Sequence, residues 1–112
     1  MPGLWAEALY DISAPAAAAF FEKTRSENMP GTQSIVITNG QHCSFSRPRT
    51  QIGMRTLGNA TFDFESMAFD WIERWMKSDQ GAPTPRLPVC AYLAGADRWA
   101  DFTSVPTASA AE

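Results

Sequence analysis

The apolar positions of this chain follow two periods, one suited to buried strands and one to helices. Leu4 to Leu9 is a short, mostly apolar run that reads as a buried strand, and it ends at Tyr10-Asp11. Ser13 or Ala14 then begins a helix, with Pro15 in the first turn, where its missing N–H has no intrahelical partner to lose. Ala16 to Arg25 reads as that helix, its alanines and Phe20-Phe21 followed by a polar end at Glu22, Lys23 and Arg25. Met29-Pro30-Gly31 stops it. Ile35-Val36-Ile37 is β-branched and apolar on both faces, the pattern of a strand inside a parallel sheet. It leads into a polar loop, Thr38 to Ser44. A long connection from Phe45 to Ala60 follows, carrying Pro48, Gly53 and Gly58.

The second helix has the clearest signature. Phe64, Met67, Ala68, Trp71, Ile72, Trp75 and Met76 follow the i, i+3, i+4, i+7 spacing of one helical face. Asp63 stands where an N-cap is needed and Gly81 lies beyond the far end. Asp70 with Arg74 and Glu73 with Lys77 have the spacing of favourable i,i+4 pairs. At this spacing Trp71, Trp75, Met67 and Met76 read as core rather than as a ligand pocket, so the helix is expected to pack on something large. Pro83, Pro85 and Pro88 then mark a linker. Val89 to Leu93 alternates as a strand, Gly95-Ala96-Asp97 is a turn, and Arg98-Trp99 opens a return strand. From Thr103 the chain is rich in Ala, Ser, Thr and Pro and is expected to be disordered. The fold class is therefore α/β: a parallel sheet with two helices over residues 1–80, then a linker and the start of a β unit over 81–112.

Composition narrows the function classes. The chain has 112 residues, enough for one small domain, and a net charge of −3 with Lys and Arg scattered along it. Neither nucleic acid nor an anionic membrane surface is expected as a partner. No apolar run has the length of a membrane span, and Met1-Pro2-Gly3-Leu4-Trp5 lacks the basic region of a signal peptide. Nothing in the chain points to a compartment. Two cysteines, Cys43 and Cys90, and a single histidine are too few for a disulfide scaffold or for a zinc site built from this chain alone.

The candidate chemistry lies in the order strand, acid, helix, strand, histidine. Successive parallel strands joined by right-handed crossovers bring their carboxyl ends to one edge. Asp11 and His42, 31 positions apart, each follow such an end, with one crossover helix between them. A carboxylate bonded to one imidazole nitrogen fixes the tautomer and leaves the other nitrogen to take a proton from a hydroxyl. Spacing alone leaves a plainer alternative open, in which Asp11 is a helix-start carboxylate and His42 a loop residue.

Several blocks, in order, carry a resemblance: Leu4-Trp5 through Tyr10-Asp11, Asn39-Gly40-Gln41-His42-Cys43, Phe69-Asp70-Trp71 through Trp75-Met76-Lys77, Val89 to Tyr92, and Gly95 through Arg98-Trp99. Together they resemble the CocE/NonD hydrolases, which include cocaine-esterase-like enzymes, Xaa-Pro dipeptidyl peptidases, α-amino-acid ester hydrolases and glutaryl cephalosporin acylases. The resemblance implies the C-terminal part of an α/β-hydrolase domain followed by the first strands of a truncated jelly roll. It implies that Asp11 is the acid and His42 the base of a Ser-His-Asp triad that hydrolyses a small-molecule ester or amide, with no metal or organic cofactor. The nucleophile would lie upstream in a Gly-x-Ser-x-x-Gly elbow, and no serine of this chain sits between glycines in that way. The chain is thus expected to be a fragment, inactive alone and prone to self-association through open sheet edges. Ala8-Leu9 stands where those hydrolases often have Gly or Ser before Trp.

Other residues are weighed beside this pair. Tyr10 and Trp5 are substrate-pocket candidates, with core packing as the alternative for each. Cys43 is expected to be a small buried thiol and not a surrogate nucleophile, because adjacent side chains in an extended segment point apart. Cys90 is expected to pack in its strand. Arg47 and Arg49 are expected to be solvated or structural. Two rivals to the hydrolase reading stand: a non-catalytic α/β module that binds a partner through its apolar helix face, and a gene fragment without function.

Overall fold

The computed structural model describes residues 1–44, 46, 50–77 and 88–106. The chain runs β1 (Gly3–Tyr10), α1 (Ala14–Glu27), β2 (Gln33–Gln41), β3 (Gln51–Ile52), β4 (Arg55–Thr56), α2 (Phe64–Met76), β5 (Val89–Leu93) and β6 (Arg98–Phe102). One four-stranded sheet has the order β1-β2-β5-β6, and β3 and β4 form a separate hairpin. β1, β2 and β5 run parallel to one another, and β6 returns antiparallel beside β5. The mixed α/β class with a mostly parallel sheet is as the hydrophobic pattern predicts.

The central strand explains why that pattern was readable. β2 lies between two parallel partners, and Ser34, Ile35, Val36, Thr38 and Asn39 are all buried. A strand covered on both faces has no reason to alternate. Phe21 of α1 is fully buried against Ile35 and Val89, with Trp5, Ile37, Phe102 and Val105 packed around it. A second cluster joins Leu57, Ala60 and Tyr92, with Ala94 and Trp99 beside them. Alternation along β5 places Val89 in the first cluster and Tyr92 in the second, so the two cores lie on opposite faces of the sheet.

β2 continues to Gln41, through residues expected to be loop, and four further elements differ from the sequence reading. The hairpin β5–β6, expected to begin a jelly roll, is bonded to β2 through Ile35–Val89, Val36–Cys90 and Ile37–Ala91 and so extends the same sheet. Thr103 to Pro106, expected to be the start of a disordered tail, follow β6 closely. The Val105 amide donates to Glu22 at 2.6 Å and its side chain joins the Phe21 cluster, which ties this segment down. The connection before α2 contains the β3–β4 hairpin, which turns at Gly53 with φ of +58°. Finally, α2 forms with Asp63 as its N-cap, accepting from the Ser66 amide at 3.1 Å, but none of its residues is buried. Of its apolar face Ile72 is 48% exposed and Met76 79%, so among the described residues the helix packs on nothing large. Helical spacing identifies the apolar face; it does not specify what covers that face. The residues expected to form most of the linker (81–87), Arg47 and Arg49, and the last residues of the tail lie outside the described residues.

Candidate active site

Asp11 and His42 meet at the rim formed by the carboxyl ends of β1 and β2. Because these strands are parallel neighbours, the residues that follow them emerge side by side. His42 Nδ1 lies 2.8 Å from Asp11 Oδ2. The Asp11 side chain is only 8% exposed, whereas that of His42 is 75% exposed. The carboxylate is thus enclosed, and the imidazole faces outward.

Local structure holds each partner. Asp11 ends β1 in a turn, with its amide donating to the Ala8 carbonyl at 3.0 Å and its own carbonyl accepting from the Ala14 amide at 3.2 Å. Its second oxygen, Oδ1, accepts from the Ser13 amide at 3.1 Å. The Ser13 amide and the His42 ring hold the Asp11 carboxyl below its usual value, against the opposite effect of its burial. Asp11 is therefore ionised at neutral pH and can only accept. Nδ1 must then carry the hydrogen, which leaves the Nε2 lone pair of the neutral ring available.

A register shift places the histidine. Ala8 pairs with Thr38 and Tyr10 with Gln41, so between these pairs β1 has one residue, Leu9, and β2 has two, Asn39 and Gly40. Such a bulge bends its strand and redirects the side chains beyond it. Thr38 steadies the bulge: its hydroxyl accepts from the Gly40 amide at 3.3 Å and donates to the Glu7 carbonyl at 3.5 Å. Gln41 to Ser44 close a tight turn, with Ser44 donating to the Gln41 carbonyl through its amide at 2.9 Å and its hydroxyl at 2.7 Å. Cys43 occupies the left-handed region of this turn, with φ of +58°. The turn folds back so closely on Gly40 that a Cβ there would lie 2.7 Å from the Ser44 carbonyl oxygen.

Glu7, Thr38 and Gly40 support the pair and were not among the sequence candidates. Glu7 Oε1 accepts from the Ala8 amide at 2.9 Å and from the Ser13 hydroxyl at 3.4 Å, bracing the turn that presents Asp11. An acidic residue in the otherwise apolar run Leu4 to Leu9 was the signal for it.

The two pocket candidates fall in different places. Tyr10 is 47% exposed at the rim, next to Asp11 in the chain. Trp5 lies further back along β1, where its ring meets Phe20 and Phe21 edge-on and its Nε1 donates to Gln33 at 3.0 Å. The structure does not bring Trp5 to the Asp11–His42 pair; it is a core residue. Cys43, expected to be buried, is exposed, because the left-handed turn carries it out at the rim. Cys90 is half-buried in β5, and burial together with the neighbouring Asp101 pushes its thiol up to about 12.

Among the described residues no hydroxyl is hydrogen-bonded to His42, and no three His, Cys, Asp or Glu side chains come together to hold a metal ion. Among them, too, no helix is long and apolar enough to cross a membrane. An enclosed carboxylate fixing an exposed imidazole can act as a general base at Nε2 and as a general acid once that nitrogen is protonated. No family model matches this chain, and no curated protein matches it.

Proposed function

We propose that Asp11 and His42 are the acid and base of a serine-dependent acyl hydrolase of the CocE/NonD type, with the nucleophilic serine supplied by a polypeptide segment other than this one. The observation that carries the reading is the 2.8 Å contact from an enclosed, ionised carboxylate to the inner nitrogen of an outward-facing imidazole. Its position just beyond the carboxyl ends of parallel strands is where open α/β sheets bind ligands. As the serine Oγ attacks the substrate carbonyl carbon, its proton passes to His42 Nε2. That proton then goes to the departing alcohol or amine, and water repeats the sequence to release the acid. Asp11 keeps the ring in the required tautomer. The chain alone is expected to hydrolyse nothing.

The test is to read the surrounding gene for a Gly-x-Ser-x-x-Gly elbow and to express the polypeptide that joins it to this chain. A fluorophosphonate should label the elbow serine. His42→Ala should abolish labelling, and Asp11→Asn should slow ester hydrolysis by about 10⁴ through loss of the tautomer. Labelling that is indifferent to His42, or a Ser44 that becomes labelled in this chain alone, sinks the proposal.

A second reading is favoured by α2, on which Phe69, Ile72, Trp75 and Met76 are exposed among the described residues. It is a non-catalytic module that binds a partner through that helix. Tight partner binding that survives His42→Ala, with no labelled serine in the joined polypeptide, selects it.

A further inference from the structure

Beside the rim lies a cavity of about 580 Å³, lined by Leu9, Ile37, Ala91, Leu93, Val105 and Pro106 among others. Leu9 stands two residues before Asp11, and Ile37 five before His42. Leu9 lies near the carboxyl end of β1 and Leu93 at that of β5, so the cavity is on the sheet edge that presents the pair, although neither Asp11 nor His42 lines it. Neither the packing of the two cores nor the Asp11–His42 contact accounts for it.

We propose that this cavity is a binding site for an uncharged, apolar small-molecule group, aromatic or aliphatic. On the hydrolase reading, on which this part rests, the group is the apolar portion of the ester or amide presented to His42. Three observations define the class of ligand. The volume falls within the roughly 300–1,000 Å³ of small-molecule pockets and well above the roughly 150 Å³ that suffices for benzene. No side chain lining it is charged, and its one hydroxyl, on Tyr92, is already bonded to Asp97. A carboxylate or ammonium group placed there would lose its water without gaining a partner, so charged ligands are excluded. The walls are also held in place: Ile37 and Ala91 are paired across β2 and β5, and Val105 is anchored through its amide to Glu22.

The experiment is a titration of the full chain with N-phenyl-1-naphthylamine, an uncharged apolar fluorophore, followed by fluorescence and by methyl resonances. The expected result is saturable binding with shifts concentrated on Leu9, Ile37, Leu93 and Val105. Ala91→Phe, which fills the cavity, should weaken binding by about tenfold or more. Leu9→Glu, a change at a partly exposed position that the fold can accept, should do the same by placing a charge at the wall. Phe69→Glu and Met76→Glu on α2 should leave the titration as it was. Non-saturable binding, shifts centred on α2, or binding lost as the chain dimerises with rising concentration would each overturn the site. The outcome separates from that of the hydrolase reading. Probe binding without a labelled serine in the joined polypeptide removes the reaction and keeps the site; labelling without probe binding removes the site and keeps the reaction.

Discussion

Gly40→Ala tests how the histidine is held, and its effect can be worked from the backbone. The added Cβ would lie 2.7 Å from the Ser44 carbonyl oxygen and 3.0 Å from the carbonyl carbon, where ordinary contact begins at 3.4 Å. The clash is with backbone, so no side chain can swing aside. The Ser44 carbonyl must retreat by about 0.7 Å to reach an ordinary separation. It cannot do so alone, because Ser44 is bonded to Gln41 through its amide and its hydroxyl, and the Gln41 amide donates back to the Ser44 hydroxyl at 2.8 Å. The turn therefore moves as a unit with His42 inside it. If the ring takes the full displacement, its 2.8 Å contact with Asp11 opens to about 3.5 Å, the limit of a hydrogen bond.

Overpacking of this kind costs about 1–3 kcal/mol. At this chain length that is a fall in Tm of roughly 4–12 °C. Two measurements check the argument together, a circular-dichroism melt and the imidazole nitrogen and proton resonances. The chain has a single histidine, so the ring signals need no assignment. The variant should melt lower and lose the hydrogen-bonded Nδ1–H signal. Gly58→Ala is the control, since its Cβ would meet only Asp97 Oδ2 at 3.6 Å. A Gly40→Ala protein with unchanged Tm and an intact Nδ1–H signal would refute the close-packed turn as the device that positions His42.

Three further outcomes follow from the same structure. Asp11, Asp63 and Asp97 are each held below the usual 3.8, by the Ser13 amide, the Ser66 hydroxyl and the Tyr92 hydroxyl respectively. The unfolded chain then binds more protons in acid, so their stabilisation is complete above about pH 4–5 and is lost as pH falls below 3.8; a Tm that rises between pH 5 and 3 contradicts this. Cys43 is exposed, whereas the Cys90 thiol is raised to about 12, so Ellman's reagent at pH 8 should titrate one thiol quickly and the other only on unfolding. On α2, Phe69→Gln and Met76→Lys should change stability by less than about 0.5 kcal/mol, whereas Phe21→Ala in the buried cluster should cost about 3–5 kcal/mol.

The parts of the fold legible in the residues are those in which local pattern and tertiary role coincide. β1, β2, both helices and the β5–β6 hairpin each carry enough periodicity to be located. Asp11 and His42 could be paired because parallel order brings consecutive strand ends together, a rule that needs no side-chain detail. The missed features depend on contacts distant in sequence. Leu57 and Ala60 are buried only because Tyr92 and the β5–β6 turn lie over them, with Asn59 donating to Asp97 through its amide at 3.2 Å and its side chain at 3.0 Å. Trp5 belongs to the core rather than the pocket because Phe20 and Phe21 lie across it, which no reading of β1 alone would reveal.

The sharpest lesson concerns Asn39-Gly40. In the residues it falls within the polar loop expected from Thr38 to Ser44, which would end β2 at Ile37. In the structure the strand continues to Gln41, and the pair of residues is absorbed as a bulge opposite Leu9. The difference decides the chemistry. In a strand without the extra residue, side chains alternate strictly, and inserting one residue exchanges the faces of everything beyond it. The bulge therefore sets the side of the sheet from which Gln41 leaves, and with it the direction from which His42 approaches Asp11. Gly40 is required twice over, because the bulged strand and the turn beyond it converge on its missing side chain. The imidazole–carboxylate contact is thus a consequence of one inserted residue and one absent Cβ, acting at the end of an otherwise regular parallel pair.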